Sequence, residues 1–253
     1  MCEAGSRDVT ALPIDQYQRT LKLSDEQRAA LDEFAGAVTK AAQDTKAACP
    51  TEPAPSAPAR LADMQQRIEA TNAAVATIGA PLEKFYRLLG DEQKEQVIAI
   101  GQRQGPRGSL LDQDCRSGQA GVVEWPTQEV EQAVHPTDAQ RASLTVLEAA
   151  VAKAEDIAKA ACSTDSPLTP TGRLAATGQR LDALLQSVKA VREPLDDFYA
   201  TLDDGQKARF DTILLSATAQ ADQTSKAKSA VASTHRRHFI SLGYLVRRIL
   251  HSF

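Results

Sequence analysis

The strongest pattern in the chain is an apolar stripe at Leu61, Met64, Ile68, Thr71, Val75, Ile78, Leu82, Phe85 and Leu89, with steps that alternate between three and four. That period over about 29 residues predicts an amphipathic helix of about 43 Å that packs lengthwise against others at a shallow angle. Pro81 falls inside the stripe and predicts a kink. The same register recurs at Leu174, Thr177, Leu181, Leu184, Val188, Val191, Leu195, Phe198 and Leu202, with Pro194 inside it. A shorter stripe precedes each long one. Leu31, Phe34, Val38, Ala41 and Ala48 form the first, and Leu144, Leu147, Val151, Ala154 and Ala161 the second. Each short stripe starts where a hydroxyl residue stands three before a glutamine, Ser24 before Gln27 and Thr137 before Gln140, the spacing of a capping box. These helices are predicted to end at Cys49-Pro50 and Cys162-Ser163, and the proline-rich segments 51–58 and 164–171 to reverse the chain. Further helices are predicted near Asp91 and Asp204, where Gln93 and Gln206 stand three beyond Gly90 and Asp203. No window alternates at period two for the length of a strand, so the fold class is all-α, built from two helical-hairpin repeats.

The recurrence is a tandem duplication. Shifted by 113 residues, the chain matches itself without a gap from residue 2 to about residue 100, with about a third of positions identical. Lys46-Ala-Ala-Cys49 falls on Lys159-Ala-Ala-Cys162, Arg60-Leu-Ala62 on Arg173-Leu-Ala175, and Pro81-Leu-x-x-Phe85-Tyr86 on Pro194-Leu-x-x-Phe198-Tyr199. The organisation expected is a first repeat over 2–103, a linker over 104–114, a second repeat over 115–222 and a tail over 223–253.

Composition sharpens the picture. The chain has 253 residues, of which 11 are aromatic and 43 are Ala, which favours close-packed helices over a core of large rings. It has no uncharged apolar window of about 18 residues, so no spanning helix is expected. The net charge of −4 argues against nucleic acid as a partner. That charge is unevenly distributed, with about −10 over residues 1–222 and +6 over the tail. Residues 239–253 place Leu242, Leu245, Val246, Ile249, Leu250 and Phe253 on one helical face with Arg247, Arg248 and His251 off it. Such a segment suits an anionic membrane surface or the protein's own acidic repeats.

Each repeat has one cysteine near its start and one at the end of its first helix. The economical pairing is Cys2 with Cys49 and Cys115 with Cys162, each closing a loop worth about 4 kcal/mol in the chain-entropy model. Four buried thiols are the alternative, and no C-x-x-C spacing supports a zinc site. Disulfides imply an oxidising compartment, whereas Met1-Cys2-Glu3 opens the chain without an export signal, which reads as a truncated or internal start. No histidine recurs between the copies, so no metal ligand set and no cofactor are expected. Asp196-Asp197 and Asp203-Asp204 match Glu83-Lys84 and Gly90-Asp91, which favours solvated helix ends over catalytic carboxylates. No Ser/His/Asp or Cys/His set stands out. Phe85, Tyr86, Phe198 and Tyr199 recur as core residues or as a client-contact patch.

Leu23-Ser24-Asp25-Glu26-Gln27 has the form Leu-Thr/Ser-x-x-Gln, and Leu89 to Gln93 and Leu202 to Gln206 are degenerate versions of it. With the accompanying Arg-Leu and Phe-Tyr pairs, the chain resembles the LTxxQ-motif family of Spy- and CpxP-like proteins over about residues 2–103 and 115–215. The second copy departs from the motif at His135-Pro136. The resemblance implies a helical, non-enzymatic, ATP-independent periplasmic chaperone or envelope-stress protein that binds partly unfolded clients. Its two units would form a pseudo-dimer within one chain. The alternatives it leaves are a metal-responsive envelope sensor and a scaffold tethered by its tail.

Overall fold

A computed structural model describes residues 14–52, 54–104, 125–162, 167 and 169–216. In the first repeat α1 is Ile14–Leu21, α2 Asp25–Ala47, α3 Ala57–Leu88 and α4 Asp91–Gln104. In the second α5 is Thr127–Val134, α6 Asp138–Ala160, α7 Pro170–Ala200 and α8 residues 204–216. The described residues contain no strand. The cysteines Cys2 and Cys115, most of the 104–114 linker and the tail from 223 lie outside the described residues.

Both capping boxes form. Ser24 and Thr137 accept the backbone N–H of Gln27 and Gln140, and those glutamines accept the N–H of Ser24 and Thr137 in return. The proline-rich reversals are shorter than their composition suggests. Ser56 caps α3 and Thr169 caps α7, so Pro58 and Pro170 lie in the first helical turn, where the missing N–H is one the helix would leave unpaired anyway. Both long helices run unbroken through Pro81 and Pro194.

The apolar stripes are inside. Leu31, Phe34, Val38 and Ala41 of α2 pack with Ile78, Leu82 and Phe85 of α3, and α1 and α4 close this core with Tyr17, Leu21, Val97 and Ile100. The second repeat does the same with Leu144, Leu147, Val151, Leu195 and Phe198, closed by Val130, Val134 and Phe210. One stripe position, Met64, instead reaches solvent at 41% exposure. The repeats also share cores. Leu174 of α7 is buried in the first repeat's core, while its counterpart Leu61 of α3, with Ala57, packs into the second's.

The helices α3 and α7 form the seam between repeats. Gln65 meets Arg192, Glu69 meets Lys189 and Asn72 meets Asp182, so the two run antiparallel. Ile68, Leu181 and Val188 make a small apolar cluster there. Polar residues are buried as well, among them Thr71, Thr177 and Ser187. Each hydroxyl donates to a backbone carbonyl within its own helix, and that of Ser187 also lies 2.9 Å from the Ala154 carbonyl, which removes the cost of burying it.

Candidate functional site

The two motif glutamines of each repeat meet in one cyclic amide pair. In the first repeat Gln27 Nε2 donates to Gln93 Oε1 at 2.9 Å, and Gln93 Nε2 returns a bond to Gln27 Oε1 at 3.1 Å. Gln27 Nε2 also donates to the Leu88 carbonyl and Gln93 Nε2 to the Leu21 carbonyl. The two Oε1 atoms accept the backbone N–H of Ser24 and Gly90. A glutamine amide has two donors and two acceptor lone pairs, and here both residues use all four. The ends of four helices are thereby tied to one point.

The second repeat reproduces the arrangement bond for bond. Gln140 Nε2 donates to Gln206 Oε1 at 2.9 Å and to the Thr201 carbonyl at 2.7 Å. Gln206 Nε2 donates to Gln140 Oε1 and the Val134 carbonyl, both at 3.1 Å. The backbone N–H groups of Thr137 and Asp203 supply the remaining bonds. Only glutamine fits this role, because Asn is too short to span from its cap to the partner and Glu has no donors when ionised. Gln140 and Gln206 are buried.

The surroundings explain the rest of the motif. Leu23, Leu89 and Leu202 are buried against the cores. Pro136 stands where Leu23 does in the first copy and is also buried, so the departure at His135-Pro136 keeps an apolar plug. Lys22 and His135, at matching positions, have φ of 48° and 49°. This left-handed residue ends α1 and α5 abruptly. It leaves the carbonyl of the preceding residue, Leu21 or Val134, free of the helix and facing its glutamine.

The short helices α1 and α5, and the pairing of motifs across each repeat, are what pattern reading missed. Gln27 to Gln93 and Gln140 to Gln206 are each 66 residues apart, but the duplication imposes equal spacing on every such pair and so gives no sign of contact.

Phe85 and Phe198 are core residues, 4% and 0% exposed. Their neighbours Tyr86 and Tyr199 are half-buried, with the ammonium of Lys94 or Lys207 over the ring at 5.9 and 5.6 Å. The second repeat has an aromatic cluster on this side, where Phe210 meets Phe198 edge-on at 5.4 Å and contacts Trp125 and Tyr199. Val97 occupies the position of Phe210 in the first copy.

A second polar cluster joins the repeats. Asp211 of α8 accepts the Ala57 N–H at 2.6 Å, the Arg60 guanidinium at 3.0 Å and the Tyr199 hydroxyl at 2.8 Å. Ile98 holds the matching place in the first repeat, so the carboxylate of this latch is not repeated there. Burial, then the Asp211 carboxylate, pushes the Tyr199 phenol up to about 12. Burial also pushes Tyr17 up to about 12, against the lowering effect of Arg173.

A phenol whose folded pKa exceeds its unfolded value of about 10 contributes stability that is complete below pH 10 and lost as pH rises through 12. Unfolding free energy measured in denaturant should therefore fall between about pH 10 and 12, Tyr17 accounting for on the order of 2 kcal/mol. Tyr17→Phe should remove that share of the slope, and an unchanged slope would refute the assignment.

Cys49 and Cys162 sit just beyond α2 and α6, half-buried at matching positions. Their expected partners Cys2 and Cys115 lie outside the described residues. No group of three or more His, Cys, Asp or Glu among the described residues could hold a metal, and no described helix is long and apolar enough to cross a membrane. The glutamine pairs carry no titratable group. Their chemistry is that of a clasp.

No curated protein and no solved structure matches the chain. A family model, that of the LTXXQ motif family protein, matches twice, over residues 9–101 and 122–214. The two matches are offset by the same 113 residues as the internal repeat, and each contains one complete glutamine clasp. The chain thus belongs to the LTXXQ motif family, as a member with two copies of the family unit in tandem.

Proposed function

We propose that the protein is a non-enzymatic, ATP-independent chaperone-like protein of the periplasm that holds partly unfolded clients on its helical surface. The observation that carries this reading is the doubled family match, since LTXXQ proteins are a Spy- and CpxP-like, non-enzymatic periplasmic group with a general stress-related role. One physical feature supports it further. The glutamine clasps fix the helix ends of each repeat without titratable groups, so protonation does not undo them.

The test is aggregation of a chemically unfolded model client, followed by light scattering without nucleotide. Near-stoichiometric protein should suppress the signal. Aggregation undiminished at tenfold excess removes the proposal.

The same reading assigns Cys2 to Cys49 and Cys115 to Cys162, one disulfide per repeat, as suits an oxidising compartment. Peptide mapping without reductant should recover those two pairs, and a bridge between repeats would overturn the assignment.

A further inference from the structure

The two repeats differ on one outer face in a way that the fold does not require. In the first repeat Glu33 of α2 and Lys84 of α3 form a salt bridge across the hairpin at 2.6 Å. In the second repeat the matching positions are Val146 of α6 and Asp197 of α7. The apolar member, Val146, is 59% exposed, more than any other large hydrophobic residue described. One turn to either side on α6 are Ala142 and Ala149, both exposed. One turn before Asp197 is Glu193, where the first repeat has Ala80. Both carboxylates are exposed, and neither forms an ion pair among the described residues. The duplication has thus exchanged an ion pair for an apolar ridge flanked by acids.

A basic amphipathic helix is the complement of that surface, and this chain contains a segment with that pattern. Residues 239–253 carry six large apolar residues on one face with Arg247 and Arg248 beside them, and no acid occurs after Asp222. As a helix the segment would be about 22 Å long, within the length of the 23-residue α6. Chain geometry permits the contact, because the 22 residues between Ser216 and 239 can span up to about 75 Å, against about 48 Å for the 32-residue α3. A tethered segment also meets its own domain at an effective concentration in the millimolar range.

We propose that residues 239–253 dock as a helix on the α6–α7 outer face of the second repeat, with apolar residues over Val146 and the arginines at Glu193 and Asp197. The first repeat, with its salt bridge intact, offers no equivalent. This docking stands apart from the client-holding reading, so either can fail alone.

Amide hydrogen exchange on the full chain tests it. At low micromolar concentration residues 239–253 should exchange at least tenfold more slowly than a free peptide of that sequence. Val146→Glu should return them to free-peptide rates, and so should Asp197→Lys. Glu33→Gln, on the matching face of the first repeat, should leave them unchanged. All three positions are exposed, and unchanged exchange in the α2 and α6 cores verifies that each variant folds. Free-peptide rates in the unsubstituted chain would overturn the proposal, as would protection that survives both second-repeat substitutions. Protection that grows with protein concentration would assign the contact to a second copy. Protection that arises only with phosphatidylglycerol vesicles would assign the tail to membrane surfaces. Either result replaces the intrachain docking.

Discussion

Gln140→Ala should destabilise the protein by about 3–5 kcal/mol, measured by denaturant unfolding. The substitution removes four hydrogen bonds and leaves the buried Gln206 amide, the Thr201 carbonyl and the Thr137 N–H short of partners. An unsatisfied buried polar group costs about 1–3 kcal/mol, which makes removal of one partner worse than the net value of the bonds lost. Gln27→Ala should cost less, because Gln27 is only half-buried and water can reach the vacated partners. Pairwise coupling is the sharper test. Gln140→Leu combined with Gln206→Leu should cost clearly less than the sum of the two single changes, since the double variant strands fewer groups. Gln140→Glu adds a pH signature. Its carboxylate would face a carbonyl and an amide oxygen with no proton to donate, so its folded pKa would be raised. The stability it retains is then present at acid pH and lost as pH rises through that pKa. Additive effects across the pair would refute the cyclic bonding.

Asp211→Ala should cost about 3 kcal/mol, and the loss should register at the contact between repeats. Asp211 is 16% exposed and Arg60 26%, and Asp211 holds the first turn of α3 and the Tyr199 hydroxyl at once. Removing one member of such a half-buried pair leaves the other charge without its partner. Asp211→Asn separates charge from geometry, since its amide oxygen in the place of Oδ1 still accepts from Ala57 while its Nδ2 in the place of Oδ2 can donate to the Tyr199 hydroxyl oxygen. It should recover roughly half the loss. Hydrogen exchange should quicken first at the start of α3 and the end of α7. If instead α2 opens first, the latch is not what joins the repeats there.

How much of this could be read from the sequence varies with the physics of each feature. The helices α2, α3, α6 and α7 were legible because each must bury one stripe against a neighbour, and periodicity records that requirement directly. The capping boxes were legible because they are local, three residues from donor to acceptor. The clasps were not. Gln27 and Gln93 are distant along the chain, and a glutamine three after a cap looks the same whether its Nε2 points to solvent or to another helix. The helices α1 and α5 were missed because eight residues give barely two turns of pattern. Lys22 and His135 give no hint of a left-handed backbone, for which glycine or asparagine is the usual marker. Proline misled in one respect, since Pro58 and Pro170 open helices where composition suggested reversal. Asp211 was invisible for a different reason. Nothing in its neighbourhood repeats, and comparison of the two copies draws attention to what they share.

The exchange of Leu61 and Leu174 between the two cores has a consequence for how the duplicated gene can change. Each leucine fills a space in the other copy, so neither half has a closed interior of its own. A substitution in one copy is therefore judged partly by the packing of its sister, and the copies drift as a coupled pair. Loss of either half would expose the remaining one's core, which makes the fusion hard to reverse once both halves depend on it.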